Sequence, residues 1–241
     1  MLQAPVLSRQ AAALATVAVA VVLAWSSGSA TGAPRTKTRT PPRDPVLLVH
    51  GFMSSGDDWE VLHTRLLAAG YRDTEVVAMS YDSNRPNVAI AEDVAAAVED
   101  LRARTGRKRV DIVSHSMGAI STRWYVEQLG GDERVDAWVS IAGVNDGTYW
   151  AYGCLGVVSC VDMLPGSDTL AILERELDTD GAVRFGAWWS PCDTLIVPNA
   201  SARVPGARNV RTSCLDHFTV QDDPTVLAQV ERFLQAKHAT R

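Results

Sequence analysis

Pro45-Val46-Leu47-Leu48-Val49-His50 is an unbroken apolar run rather than an alternating one, and that constrains the fold more than any other stretch. A half-exposed strand alternates apolar and polar side chains, whereas a run apolar at every position suits a strand covered on both faces, the setting of a parallel sheet. The rest of the chain keeps to that plan. Strands are expected at 74–79, 109–114, 135–142, 184–189 and 209–212. Helices are expected around 61–67, from Ile90 to Leu101 with Gly106 as the stop, from 117 to 129, from 168 to 177, and after Asp223-Pro224, where Val226, Leu227, Val230, Phe233 and Leu234 share one face. A loop is expected from the fourth strand to about Pro165. Strands alternating with helices, without internal repeat, predict one mostly parallel six-stranded α/β sheet with helices on both faces.

The amino-terminal residues read differently. Ala11–Trp25 is an apolar run of about 15 residues, short of the roughly 20 that cross a bilayer. Arg9 precedes it and Ser26-Ser27-Gly28-Ser29-Ala30 comes after it, the layout of a secretory signal with small residues at the cleavage site. We therefore expect a signal at 1–30, a Thr/Pro/Arg-rich flexible lead-in at 31–44, a folded domain at 45–241 and a secreted product. Four cysteines, all in the second half, suit two disulfides in an oxidising compartment. Cys154–Cys160 is favoured for its short loop. Cys192–Cys214 is favoured because the catalytic reading below puts these residues on neighbouring loops.

A net charge of −5 gives no general attraction to a phosphate backbone, so nucleic acid is not expected as a partner. No G-x-G-x-x-G, P-loop or H-E-x-x-H pattern occurs, so neither cofactor nor metal is expected.

Chemistry concentrates in Ser114-His115-Ser116-Met117-Gly118, between a strand and a helix. This is the setting of the nucleophile elbow, G-x-S-x-G, in which a tight turn lifts the serine hydroxyl above the sheet, with Ser114 in the first glycine's place. Either serine could instead merely cap the helix. His50-Gly51-Phe52-Met53 comes directly after the first strand, so the amides of Phe52 and Met117 are candidates for an oxyanion hole. Of five histidines, His217 alone lies in the loop between the last strand and the last helix, where the order Ser…Asp…His places the base. Asp193, after the fifth strand, is the preferred acid; Asp146, in an Asn-Asp-Gly turn, is the alternative.

Taken in order, His50-Gly51-Phe52, Ser-His-Ser-Met-Gly, Asp193 and His217 resemble the α/β-hydrolase superfamily, and within it the class 2 lipases, small secreted bacterial triacylglycerol lipases. The resemblance runs from about Pro45 to Leu234. It implies Ser116 as nucleophile, Asp193 as acid, His217 as base, the amides of Phe52 and Met117 as oxyanion hole, no metal, and a lipid ester as substrate. Ser114 stands where those lipases carry Ala, and their smallest members lack cysteines. With no inserted run of helices, a large lid is not expected, and the site should be open, show little interfacial activation and make at most transient contact with lipid interfaces. A monomer is expected. The rival readings are a carboxylesterase or cutinase-like enzyme for shorter or polymeric esters, an acyltransferase, and a non-catalytic binding protein of the same fold.

Overall fold

The computed structural model describes residues 43–173 and 182–236. The expected signal and most of the lead-in, the end of the helix expected to reach Leu177, and His238 lie outside them. Six strands form one sheet: β1 (Val46–Val49), β2 (Val76–Met79), β3 (Val110–His115), β4 (Val135–Ile141), β5 (Arg184–Trp189) and β6 (Arg208–Arg211). Their order is β2-β1-β3-β4-β5-β6, with every pair parallel.

The alternation of β1 explains its unbroken apolarity. Val46 and Leu48 point into a core layer with Leu62 and Leu66 of α1 (Glu60–Ala68) and Val226, Leu227 and Val230 of α7 (Pro224–Gln235). Leu47 and Val49 point into the opposite layer, with Val94, Val98 and Leu101 of α2 (Asn87–Thr105) and Val126 of α3 (Gly118–Gln128). All four side chains of β1 are fully buried. Truncating one, Leu48→Ala for instance, would cost about 2–5 kcal/mol in lost transfer energy and cavity.

The helices stop and start where their chemistry dictates. Gly106 takes a left-handed φ of 67° and ends α2, and the Asp223 carboxylate accepts from the amides of Thr225 and Val226 to begin α7 at Pro224. Two expectations are corrected. Residues 74 and 75 are not strand: the Glu75 side chain reaches back to the Arg72 amide and closes a 3-10 turn over Asp73–Glu75, so β2 begins at Val76. The stretch expected to be loop up to Pro165 contains a 3-10 segment, Tyr149–Cys154, capped by Thr148, and a short helix, α4 (Val158–Asp162). Ala151, Cys154, Val157 and Cys160 join a third apolar cluster with Met117, Ile120 and Met163, while Tyr149, Tyr152 and Leu155 stand exposed. α5 (Asp168–Leu173) and α6 (Thr219–Asp222) complete the α-helices of the described residues. Among the described residues no helix is long and apolar enough to cross a membrane.

The connection leaving β1 runs to β2 on one side, and the connection leaving its other neighbour, β3, runs to β4 on the opposite side. A crevice therefore opens at the carboxyl ends of β1 and β3, the usual place for a ligand in an open parallel sheet.

Candidate active site

Both halves of that crevice are built from turns that only certain residues allow. β3 ends at His115, and Ser116 comes next with a φ of +55°, a conformation costing a non-glycine residue about 1–3 kcal/mol. Backbone hydrogen bonds hold it there. The Ser116 amide donates to Ile141 O (3.1 Å), and its carbonyl accepts from Val144 (3.1 Å) and Ala119 (3.2 Å). The turn also needs bare backbone beside it. A Cβ on Gly51 would sit 2.8 Å from that of Ser116, and one on Gly118 would collide with the carbonyl oxygens of Val49 and His50. Neither serine caps α3. Ser114 is fully buried and donates to Val139 O at 3.0 Å, while the residue preceding the helix, Met117, makes no side-chain cap.

The Ser116 hydroxyl instead meets His217. Ser116 Oγ lies 2.9 Å from His217 Nε2, and His217 Nδ1 lies 2.8 Å from Asp193 Oδ2. A carboxylate only accepts, so Nδ1 carries the proton and Nε2 is left as the acceptor for the serine O–H. Asp193 Oδ1 is occupied as well, accepting from the amides of Leu195 (2.9 Å) and Ile196 (3.0 Å). His217 and Asp193 are both buried, which excludes competing water. Asp146, the alternative acid, is exposed at a separate hollow that it lines with Arg123 and Arg203, and it takes no part in this chain of bonds.

The loops carrying Asp193 and His217 are stitched together. A disulfide joins Cys192 to Cys214 with the Cα atoms 5.0 Å apart. Beside it Ser190, a residue that no sequence pattern marks, donates to Leu215 O (2.6 Å) and accepts from the amides of Leu215 (3.0 Å) and Cys192 (3.1 Å). Cys154 is joined to Cys160, and this bridge closes the 3-10 segment onto α4.

The amides of Phe52 and Met117, the candidate oxyanion donors, have no acceptor among the described residues. Both residues line or border the cleft over Ser116. The cleft has a volume of about 270 Å³ and is walled by Phe52, Val144, Trp150, Met163, Leu195 and Ile196. Large apolar side chains stand exposed at its mouth, Met53 at 82% and Phe218 at 70%.

The other described histidines are accounted for structurally. His50 stacks on Tyr81 with centroids 4.0 Å apart, its Nδ1 is 2.8 Å from Gly51 O, and burial pulls its pKa down. His63 pairs with Asp73 at 3.3 Å. His115 is buried against His217 itself. Desolvation, then the neighbouring imidazole, lowers its pKa to about 3, so it is neutral at physiological pH. The carboxylates of Asp44, Asp111 and Asp136 come together at the amino ends of the strands, the opposite end from Ser116, and Asp136 is bound there by Arg184 at 2.6 Å.

A family model described as lipase (class 2) matches residues 43–169. That span holds His50-Gly51-Phe52 and Ser116 and stops before Asp193 and His217. Among solved structures, the mature form of a Bacillus licheniformis lipase superposes with a TM-score of 0.71 at 14% identity, covering 81% of this chain and 93% of that one. Lipase B of Aspergillus fumigatus gives 0.68 at 20% identity over 81% of this chain and 53% of its own. An esterase from Rhodococcus sp. gives 0.56 at 16% identity, covering 81% and 91%. At such identities the likeness speaks for the fold, and the fold is the minimal α/β-hydrolase. The family match spans more than half of the chain, which is a carboxylic ester hydrolase belonging to the class 2 lipases.

Proposed function

We propose that the protein is a secreted lipase that cleaves lipid esters, triacylglycerols among them, through Ser116, His217 and Asp193. The single observation carrying this reading is the continuous chain from Ser116 Oγ through His217 to Asp193, at 2.9 and 2.8 Å. In the first step His217 Nε2 takes the hydroxyl proton as Ser116 Oγ bonds to the ester carbonyl carbon. The carbonyl oxygen becomes an oxyanion, which the amides of Phe52 and Met117 are free to receive. Collapse passes the proton from His217 to the departing alcohol and leaves an acyl-Ser116. Water, activated by the same imidazole, then releases the acid. Asp193 keeps the ring in the one tautomer able to do this and stabilises the imidazolium each time it forms.

The apolar cleft and the exposed Met53, Phe218 and Trp150 support an acyl or glyceride chain as the group received. Two disulfides support an oxidising, extracellular destination, with residues 1–30 as the signal, 31–44 as the lead-in and 45–241 as the catalytic domain acting as a monomer. One observation favours a second reading, an esterase of shorter or polymeric esters. About 270 Å³ lies at the small end for a pocket that encloses its ligand.

Hydrolysis of p-nitrophenyl esters from acetate to palmitate, by the wild type and Ser116→Ala, separates these. Turnover lost in the variant, with medium or long chains preferred by the wild type, is the expected result. Preference confined to acetate and butyrate selects the esterase reading. Turnover that survives Ser116→Ala overturns the mechanism. Rates rising smoothly through the substrate's solubility limit, without a jump, are expected of an open site.

A further inference from the structure

The base of the proposed triad sits in a loop, yet one backbone atom of that residue is tied directly to the nucleophile's own strand. His115 Nε2 lies 3.0 Å from the carbonyl oxygen of His217. A carbonyl oxygen can only accept, so Nε2 carries the proton and the His115 tautomer is set. The two imidazole rings pack with centroids 4.7 Å apart at 43°. His115 is 5% exposed and is the last residue of β3, paired with Ile141 of β4, so its own position is fixed by the sheet.

We propose that His115 is a positioning residue for the hydrolysis, its Nε2–H holding the backbone of His217 so that the base imidazole meets Ser116. The proposal rests on His217 being the base. Cys214 and Leu215 are tethered to the acid loop, which sets the course of the chain but leaves His217 two residues further along. His115 supplies the remaining restraint at the base residue itself, from the side of the nucleophile. An apolar side chain in its place would leave the His217 carbonyl buried and unpaired. A permanently charged one would set a cation against the ring that must accept a proton. A buried neutral imidazole avoids both, and its lowered pKa keeps it neutral throughout the working range.

Two variants of matched shape isolate the N–H. His115→Gln keeps a donor and His115→Met does not. With p-nitrophenyl butyrate, we expect kcat of His115→Met to fall about tenfold below that of His115→Gln, the effect of one ordinary hydrogen bond, with KM within about twofold. Equal kcat values in the two variants would overturn the proposal. Should the Met variant fail to fold, 15N spectra of the wild type decide instead. They are expected to show His115 protonated at Nε2, and protonation at Nδ1 alone would overturn the assignment. His217→Ala is the control: full activity there removes the base reading, whereas an inactive control beside equal Gln and Met variants removes only the role of His115.

Discussion

Two buried aspartates at opposite ends of one sheet show how partners decide what a carboxyl group can do. Asp193, at the carboxyl end, is 5% exposed and meets three N–H groups, two backbone amides on one oxygen and the His217 imidazole on the other. Asp111, at the amino end of β3, is 1% exposed, and its Oδ1 has no hydrogen-bond partner among the described residues. Burial pushes its pKa well above the ordinary carboxylate range, and the nearby Asp136 and Asp44 push it further. Depth is common to both; the donors differ. Asp193 has donors on both oxygens, whereas Asp111 has a backbone amide, that of Ala137, and an Oδ1 with no partner among the described residues, so burial favours a proton on it.

That contrast breaks most visibly in turnover. Asp193→Asn preserves the shape but offers the imidazole a donor in place of an acceptor, so kcat is expected to fall on the order of 10³-fold or more. Asp111→Asn should leave kcat within about twofold, and steady-state kinetics of the pair checks both. The Cys192–Cys214 bridge is next. Replacing both cysteines by serine should lower stability by about 2–4 kcal/mol in denaturant unfolding and should also slow turnover, since the bridge joins the loops that carry Asp193 and His217. The Cys154–Cys160 bridge closes a sequence separation of only 6 and should cost less stability.

The smallest effects sharpen the comparison through pH. Asp111 binds its proton more tightly when folded, so its contribution to stability is complete below about pH 4 and declines as pH rises toward its folded value. Asp111→Asn should flatten that decline. His115, at the other end, has a folded pKa of about 3 against an ordinary 6.5. Its contribution is complete above about pH 6.5 and is lost as pH falls toward 3, and His115→Gln should flatten the acid side. In stability curves measured across pH, a variant that kept the wild-type slope on its own side would contradict the assignment made for that residue.

The kind of interaction that makes each part decides how legible that part is in the sequence. The run Val46–Val49 and the spacing of Ile90, Val94, Val98 and Leu101 announce their elements, because burial on a sheet or a helix face imposes a period on the residues themselves. Ser116 is legible through the small residues that a tight turn demands, and His217 through chain order. His115, by contrast, reads only as a neighbour of the serine. Its role depends on meeting the backbone of a residue distant in sequence, and no local pattern encodes that. Ser190 is silent for the same reason. The short helical turns between Thr148 and Asp162 read as loop because each is too brief to show a period; capping by Thr148 and packing beneath the cleft make them.

If Ser116 is made nucleophilic by His217 and Asp193 acting together, a fluorophosphonate probe tests it most directly. Its phosphorus should form a bond to Ser116 Oγ with loss of fluoride. Intact-mass and peptide mass spectrometry of wild type, Ser116→Ala, Asp193→Asn and Asp111→Asn would track that adduct. One adduct on the Ser116 peptide is expected, formed at equal rates in wild type and Asp111→Asn, far more slowly in Asp193→Asn, and not in Ser116→Ala. Labelling at another residue, or an Asp193→Asn protein that labels as fast as the wild type, would contradict the account.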